Sequence, residues 1–333
     1  MKDMARWAIG IDLGGTAVKV AVIGEKGDVL DHERHETRID DGPDGIARHL
    51  ASRSQSMYSR FCGQCGKEMF AGIGVGAPGA VHTGTGIVCY PPNLPGWDRY
   101  ALRDTMLQVL AEEYGLRCPL VLENDANMAA CGEAVFGAGQ EYDDFMMITM
   151  GTGVGGGIVI DRKLYRGTRG TAGEIGFVTV DYRGERVHAG VRGTVESLIG
   201  KNGIVAMGVE TYRNHPVTAW SESFHGSELK DLSPRTLEKA AHQGDPVALE
   251  VWNNVGAILG IGLAGVVALL DIRTFLIGGG VAGAGELIFA PARKQLSASL
   301  LPSMRDGIEI VAATLGNLAG VYGAAARCFS FIV

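Results

Sequence analysis

Positive charge is in short supply in this chain. Its 30 Lys and Arg stand against 37 Asp and Glu, a net charge of −7, so a nucleic-acid or anionic-membrane surface is not expected. Cysteine is sparse too: six in 333 residues, with no dense framework, fits a reducing cytoplasm. Cys62 and Cys65 have C-x-x-C spacing, but no second pair lies nearby to complete a tetrahedral site. They are read as surface-loop thiols. The stretch MKDMARWAIGIDLGG lacks the long apolar region and small-residue cleavage site of a secretory leader. The longest uncharged apolar run, Val255 to Leu270, falls short of the roughly 20 residues a membrane span needs and is rich in glycine. A buried core helix is expected there, in a cytoplasmic protein.

What the chain does have is glycine. Its 50 glycines are about twice ordinary usage, without a collagen period. They fall in short clusters at the ends of apolar runs, which suggests tight turns and close backbone approach to a ligand. With 46% hydrophobic and 20% charged residues, the chain can bury a real core, and its length points to two lobes. Apolar strands alternate with longer helical patterns, the signature of an α/β protein. Strands are expected at Trp7 to Ile11, Val18 to Ile23, Ala71 to Val75, Leu120 to Leu122, Phe145 to Met150, Gly157 to Ile160 and Thr274 to Ile277. Helices are expected at Gly45 to Ser59 and Tyr100 to Tyr114. The polar stretch Asn214 to Ser233 reads as a surface excursion.

Two of these hairpins enclose similar turns, DLGGT at 12–16 and GTGVGG at 151–156. The recurrence hints at an internal duplication of one α/β unit, which would leave a cleft between the copies. Glycine turns let backbone N–H groups share the oxygens of a phosphate. Gly14, Gly15 and Thr16 would form one such turn, and Gly151, Thr152 and Gly153 another. A third triplet, Gly278 to Gly280, follows a strand and precedes a helix. Glycine also supplies plain hairpin geometry, but three turns of this kind favour phosphate. Neither a Walker lysine pattern nor a G-x-G-x-x-G opening a helix occurs at them. Asp12 precedes the first turn, where a carboxylate beside phosphates implies Mg²⁺ between them, through water. A turn-forming Asp bonded to its own loop would look the same.

The stretch LVLENDANMAA at 120–130 ends an apolar strand in Glu123, Asn124, Asp125 and Asn127. Asn124 can cap a helix that begins near Ala126. Asp125 then lies at the helix N-terminus, where the dipole favours its charged form, and such a carboxylate can take a proton from an attacking alcohol. Asn124 and Asn127 offer donors and acceptors suited to hydroxyl-rich ligands. A plain capped helix would account for the same residues without chemistry.

Seven motifs in order carry a resemblance. DLGGT at 12–16, GVGAPGAV at 74–81, PNLPGW at 92–97, ENDAN at 123–127, GTGVGGG at 151–157, GEIG at 173–176 and IGGGV at 277–281 resemble the ROK family of sugar kinases, within the actin-like ATPase superfamily, over nearly the whole chain. The resemblance implies a two-lobed, ribonuclease H-like α/β fold with ATP and sugar in a central cleft. The expected division is a smaller lobe over 1–122, with a helix at about 316–333 packing back on it, and a larger lobe over 123–315. The implied activity is ATP- and Mg²⁺-dependent phosphorylation of a hexose at its 6-hydroxyl. Carried over by position, Asp125 corresponds to the catalytic base, and Asn93, Asn124, Glu174 and Glu196 to sugar-hydroxyl ligands. Gly14 to Thr16 and Gly151 to Gly153 correspond to phosphate loops, and Gly279 and Gly280 border the nucleotide. The resemblance also implies a homodimer or a dimer of dimers.

One departure stands out. Most members continue GEIG with His, a zinc ligand, followed by a cluster resembling C-x-C-G-x-x-G-C-x-E. Here Phe177 follows, and the matching stretch is VHAGVRGTVE at 187–196, with Val187, Ala189 and Thr194 where thiolates would be. Phe cannot ligate zinc, Thr is a poor substitute for thiolate, and His188 alone would not hold the ion. No structural zinc is expected, and packing is expected to hold the loop instead. The family His also contacts the sugar, so Phe177 removes a polar partner from that pocket. Glucose is the leading substrate, with mannose, fructose and N-acetylated amino sugars as alternatives and polyphosphate as an alternative donor. A non-catalytic sugar-sensing regulator is the alternative from another class. The family's repressors carry a helix-turn-helix before the first phosphate loop, whereas eleven residues precede Asp12 here.

Overall fold

The computed structural model describes residues 6–215, 229 and 231–330. Most of the excursion expected at Asn214 to Ser233 lies outside the described residues, as does the end of the helix expected to reach residue 333. By contact the chain divides into two compact units. The first comprises Met1–Met147, Gly157–Gly173 and Ala313–Val333; the second comprises Ile148–Gly156 and Glu174–Ala312.

The early strands are β1 (Trp7–Leu13), β2 (Ala17–Gly24), β3 (Val29–Glu36), β4 (Phe70–Ala77), the small hairpin β5 (Ala80–His82) and β6 (Ile87–Cys89), and β7 (Leu120–Asn124). Among them lie helices α1 (Gly42–Cys65) and α2 (Leu102–Tyr114), and α3 (Asp125–Phe136) follows. The later strands are β8 (Phe145–Met150), β9 (Val154–Ile160), β10 (Lys163–Tyr165), the short pair β11 (Val187–His188) and β12 (Val191–Arg192), β13 (Thr274–Gly278) and β14 (Glu309–Ala312). Their helices are α4 (Val195–Ile199), α5 (Lys201–Asn214), α6 (Pro234–His242), α7 (Pro246–Leu270), α8 (Glu286–Ala298) and α9 (Ala319–Cys328).

Two five-stranded sheets have the same internal order. One runs β3-β2-β1-β4-β7 and the other β10-β9-β8-β13-β14. In the first, β1–β2 and β2–β3 pair antiparallel while β1–β4 and β4–β7 pair parallel. In the second, β9–β10 is antiparallel and β13–β14 parallel. Strand for strand, the turn after β1 matches the turn after β8, and the end of β4 matches the end of β13. The duplication suggested by the glycine hairpins is therefore written into the topology.

All the strands expected from sequence are present, extended by a residue or more in most cases. β3 was not foreseen. Its sequence VLDHERHE is polar, and no residue of it is buried. It is an edge strand, whose charged side chains suit a position that another chain must not pair with. Cys62 and Cys65 lie in the last turns of α1 and pack against the core of the first unit. The expectation of loop thiols is thereby corrected: a long helix carries them, and burial pushes the Cys65 thiol up.

Backbone contact shapes both units. In the first, α9 lies so close that a side chain on Gly10 or Gly74, in the middle of β1 and β4, would collide with the carbonyl oxygens of Val321 and Ala324. One on Gly323 would strike the Met128 carbonyl of α3, and one on Gly132 the Ala319 carbonyl. In the second unit the expected core helix is observed as α7. Asp245 caps it, accepting from Ala248 N at 2.8 Å, and Pro246 occupies its first turn. Gly256 and Gly260 bring α7 onto the backbone of α8. By length and composition α7 could cross a membrane, but Val251, Trp252, Val255, Leu259 and Leu263 are buried within the protein.

Gly323→Ala is expected to lower stability by about 2–3 kcal/mol, because a methyl group has no room against the α3 backbone. Gly265→Ala, at an α7 position with open space around it, is expected to raise stability by up to about 1 kcal/mol. Urea unfolding of the two variants beside the parent checks both signs.

Candidate active site

Within the first unit, β7 hands over directly to α3. Asn124 is the N-cap: its Oδ1 accepts from Asn127 N at 3.0 Å and its Nδ2 donates to Gly79 O at 3.1 Å. The cap inferred from sequence is present, but these bonds commit much of the amide to the fold. Asn127 is 1% exposed and donates from Nδ2 to Glu123 Oε1 at 3.2 Å, so it serves the scaffold and not a ligand surface.

Glu123, also 1% exposed, is the hub of this turn. Its Oε1 accepts from Asn124 N at 3.0 Å and its Oε2 from Arg166 Nε at 2.6 Å. A buried carboxylate needs such compensation to stay charged. Asp125 is the more accessible acid, the first residue of α3, with Oδ1 accepting from Ala126 N at 2.9 Å. The far end of α3 is anchored by buried Glu133, which accepts from Leu315 N at 2.8 Å, Ala138 N at 2.9 Å, and both the N and Oγ1 of Thr314 at 3.2 Å.

The first glycine turn joins β1 to β2. Gly14 N donates to Ala17 O at 3.0 Å, which closes the hairpin and leaves Gly15 and Thr16 at its tip. Asn93 abuts this tip: a side chain on Gly15 would sit 2.6 Å from Asn93 Cβ. Asp12 faces Lys19 across the hairpin, with Oδ2 2.8 Å from Nζ. Lys19 was missed in the sequence, although the two residues are equidistant from the turn and that symmetry was a usable signal. A single carboxylate beside a phosphate-sized turn fits Mg²⁺, which commonly takes one or two protein carboxylates plus substrate phosphates and water.

Within the second unit, the 151–153 turn joins β8 to β9. Gly151 N donates to Gly153 O at 2.9 Å, again closing the hairpin, and Lys201 N at the start of α5 donates to Gly151 O and Thr152 O, both at 3.2 Å. Glu196 packs directly on this turn. Its Oε2 accepts from Val154 N at 2.6 Å, and a side chain on Gly153 would collide with that same oxygen. Glu174 lies near enough to feel it. Burial, and then the charge of Glu196, push the Glu174 carboxyl up from the ordinary carboxylate range. Gly279, with φ of +93°, lets the end of β13 approach the Met150 backbone, and Val281 N donates to Met150 O at 3.0 Å. Gly280 is exposed, with open space where a side chain would be.

Glycine turns and carboxylates of this kind offer groups that phosphates and hydroxyls can bond to. A model of the ROK family matches residues 8–328. The chain belongs to the ROK family. It is similar to the glucokinase of Halalkalibacterium halodurans, 34% identical over 96% of this chain and 93% of that one. It is also similar to the glucokinase of Thermotoga maritima, 33% identical over 95% of each. Among solved structures it is similar to a ROK family glucokinase from Streptomyces griseus in complex with glucose and AMPPNP, with TM-score 0.81, 33% identity, and 97% and 99% of the two chains covered. The fold is accordingly of the actin-like ATPase class.

This ROK chain builds its 177–196 segment without the His/Cys motif. Residues 187–192 form a two-stranded hairpin, turned by Ala189 and Gly190 at φ of +47° and +79°. Thr194, in the third thiolate position, is fully buried and caps α4 by accepting from Ser197 N at 3.2 Å. Gly193 O takes both Val180 N at 2.9 Å and Asp181 N at 3.1 Å, and Gly193 N donates to Arg186 O at 2.9 Å. Val195 N donates to Val178 O at 3.0 Å. Packing was expected to hold this loop; Gly193, Thr194 and Val195 are buried at its end, and hydrogen bonds and a helix cap add to that packing. Among the described residues, no group of three or more His, Cys, Asp and Glu is placed to hold a metal ion.

Arg166→Ala would strand Glu123 as an uncompensated buried charge and is expected to cost about 3–5 kcal/mol, read from urea unfolding. Glu174 gives a pH-dependent case. A carboxyl raised in the folded state opposes folding once it ionises. Glu174→Gln is expected to raise the melting temperature near pH 8, with the gain gone below about pH 4, where the acid is protonated in both states.

Proposed function

We propose that this sugar kinase transfers the γ-phosphoryl group of ATP to the 6-hydroxyl of a hexose, glucose first among them, with Asp125 as general base. The carrying observation is the placement of Asp125. It opens α3 at the end of a strand whose geometry is fixed by the Asn124 cap and the buried Glu123–Arg166 pair. The names of the H. halodurans and T. maritima relatives, and the glucose and AMPPNP in the S. griseus complex, support this substrate pair.

In this reading the sugar oxygen attacks the γ-phosphorus as its proton passes to Asp125. The bond from that phosphorus to the β–γ bridging oxygen breaks, and ADP leaves. The transition state asks mainly for alignment and charge neutralisation. Alignment comes from Asn93, Asn124, Glu174 and Glu196 at the sugar hydroxyls. Backbone amides of Gly15, Thr16, Thr152 and Gly153 take phosphate oxygens, with Gly14 and Gly151 closing their turns and Gly279 and Gly280 bordering the nucleotide. Mg²⁺ bound with ATP would neutralise phosphate charge, with Asp12 holding its hydration shell and Lys19 beside it as a second cation. The sparse cysteines support a cytoplasmic setting for the reaction.

ADP formation with ATP and a panel of glucose, mannose, fructose and N-acetylglucosamine tests the proposal. Glucose is expected to give the highest kcat/KM. Asp125→Asn should cut kcat by about 10²–10⁴-fold with sugar binding retained. Sugar-dependent turnover in that variant at the parental rate would remove Asp125 as base, and ADP formation with none of the sugars would remove the kinase reading.

A further inference from the structure

We propose that His188 is a positioning residue for Glu196 and supplies the cationic partner that residue 177 cannot. The inference rests on reading Glu174 and Glu196 as acceptors for sugar hydroxyls. His188 Nε2 is closed to solvent and lies 2.6 Å from Glu196 Oε1, at an angle that makes no proper hydrogen bond. The contact is an ion pair when the imidazole is protonated. The other carboxylate oxygen takes the Val154 amide beside the 151–153 turn. Glu196 is thus gripped from two sides, with its position fixed relative to that turn.

The need for a cation follows from the acids themselves. Glu174 and Glu196 are close enough for the charge of one to oppose ionisation of the other, and a hydroxyl-binding pair works best with both as acceptors. Phe177 brings no charge. Its ring instead lies 6.1 Å from the His188 imidazole, centroid to centroid, at 41°, and so acts as a wall for that ring. The hairpin then aims the imidazole. His188 pairs with Val191, and Val187 with Arg192, so strand alternation puts Arg192 on the opposite face from His188. Arg186 is drawn to Gly203 O at 3.0 Å and Glu210 at 3.1 Å. His188 meets Glu196 from α4, and Glu174, from the turn before Phe177, lies close enough to Glu196 to feel its charge.

The test compares the parent with His188→Gln and His188→Ala in steady-state kinetics at about pH 6 and 8, which bracket the usual change in imidazole charge. The parent KM for sugar is expected to rise with pH. His188→Gln should show a KM about tenfold above the parent at the lower pH, with little pH dependence and kcat within about twofold. A purely structural histidine would lower the melting temperature and active fraction without this split. An unchanged sugar KM and pH profile in His188→Gln overturns the proposal, even if His188→Ala fails to fold. Absence of sugar-dependent turnover in the parent is a different failure: it removes the kinase reading on which His188 was placed.

Discussion

Close backbone approach is the constraint on which this architecture rests. Helix α9 can lie on β1, β4 and α3 because Gly10, Gly74, Gly132 and Gly323 put nothing between the chains, and α7 meets α8 through Gly256 and Gly260 by the same means. The candidate site residues of each unit borrow the device. Within the second unit Gly153 makes room for the Glu196 carboxylate and Gly176 for the Val154 carbonyl, and within the first Gly15 makes room for Asn93. Interiors packed this closely transmit small changes in side-chain volume, so one excess of glycine serves both framework and site.

Four acids in and around the candidate site have partners of their own. Glu123 has Arg166, Asp12 has Lys19, Glu196 has His188 and a backbone amide, and Glu133 has four donors from two segments. Glu174 is the contrast, an acid lifted by burial and by a like charge. The compensated acids are held by donors or cations, whereas Glu174 carries the cost of burial beside a like charge.

The sequence was legible where local rules decide structure. The Asn124 cap, both glycine hairpins and the apolar strands follow from capping, turn and burial rules that act within a few residues. β3 escaped because an edge strand is specified by its ladder and not by apolar alternation. The glycines inside β1, β4, α3 and α9 were hidden for a related reason: clusters at strand ends drew the eye to turns, while these isolated ones answer to partners far along the chain. Distance in sequence also hid the pairs. Arg166 is 43 residues from Glu123, and nothing beside His188 announces Glu196. The absent thiolates could be read directly, but what replaced them could not, because Thr194 as a buried cap is visible only once α4 exists.

The place of α9 sets an order of events during synthesis. The strands and helices it covers come from residues 7–136, yet α9 itself begins at Ala319, and the whole of the second unit is translated in between. A growing chain must therefore carry a glycine-lined groove on its first sheet, open to other apolar segments, until α9 leaves the ribosome. Such long-range closure is slow and exposes surface meanwhile. The α9 segment acts as a closing wedge, and the first unit is complete only after the whole of the second has been made.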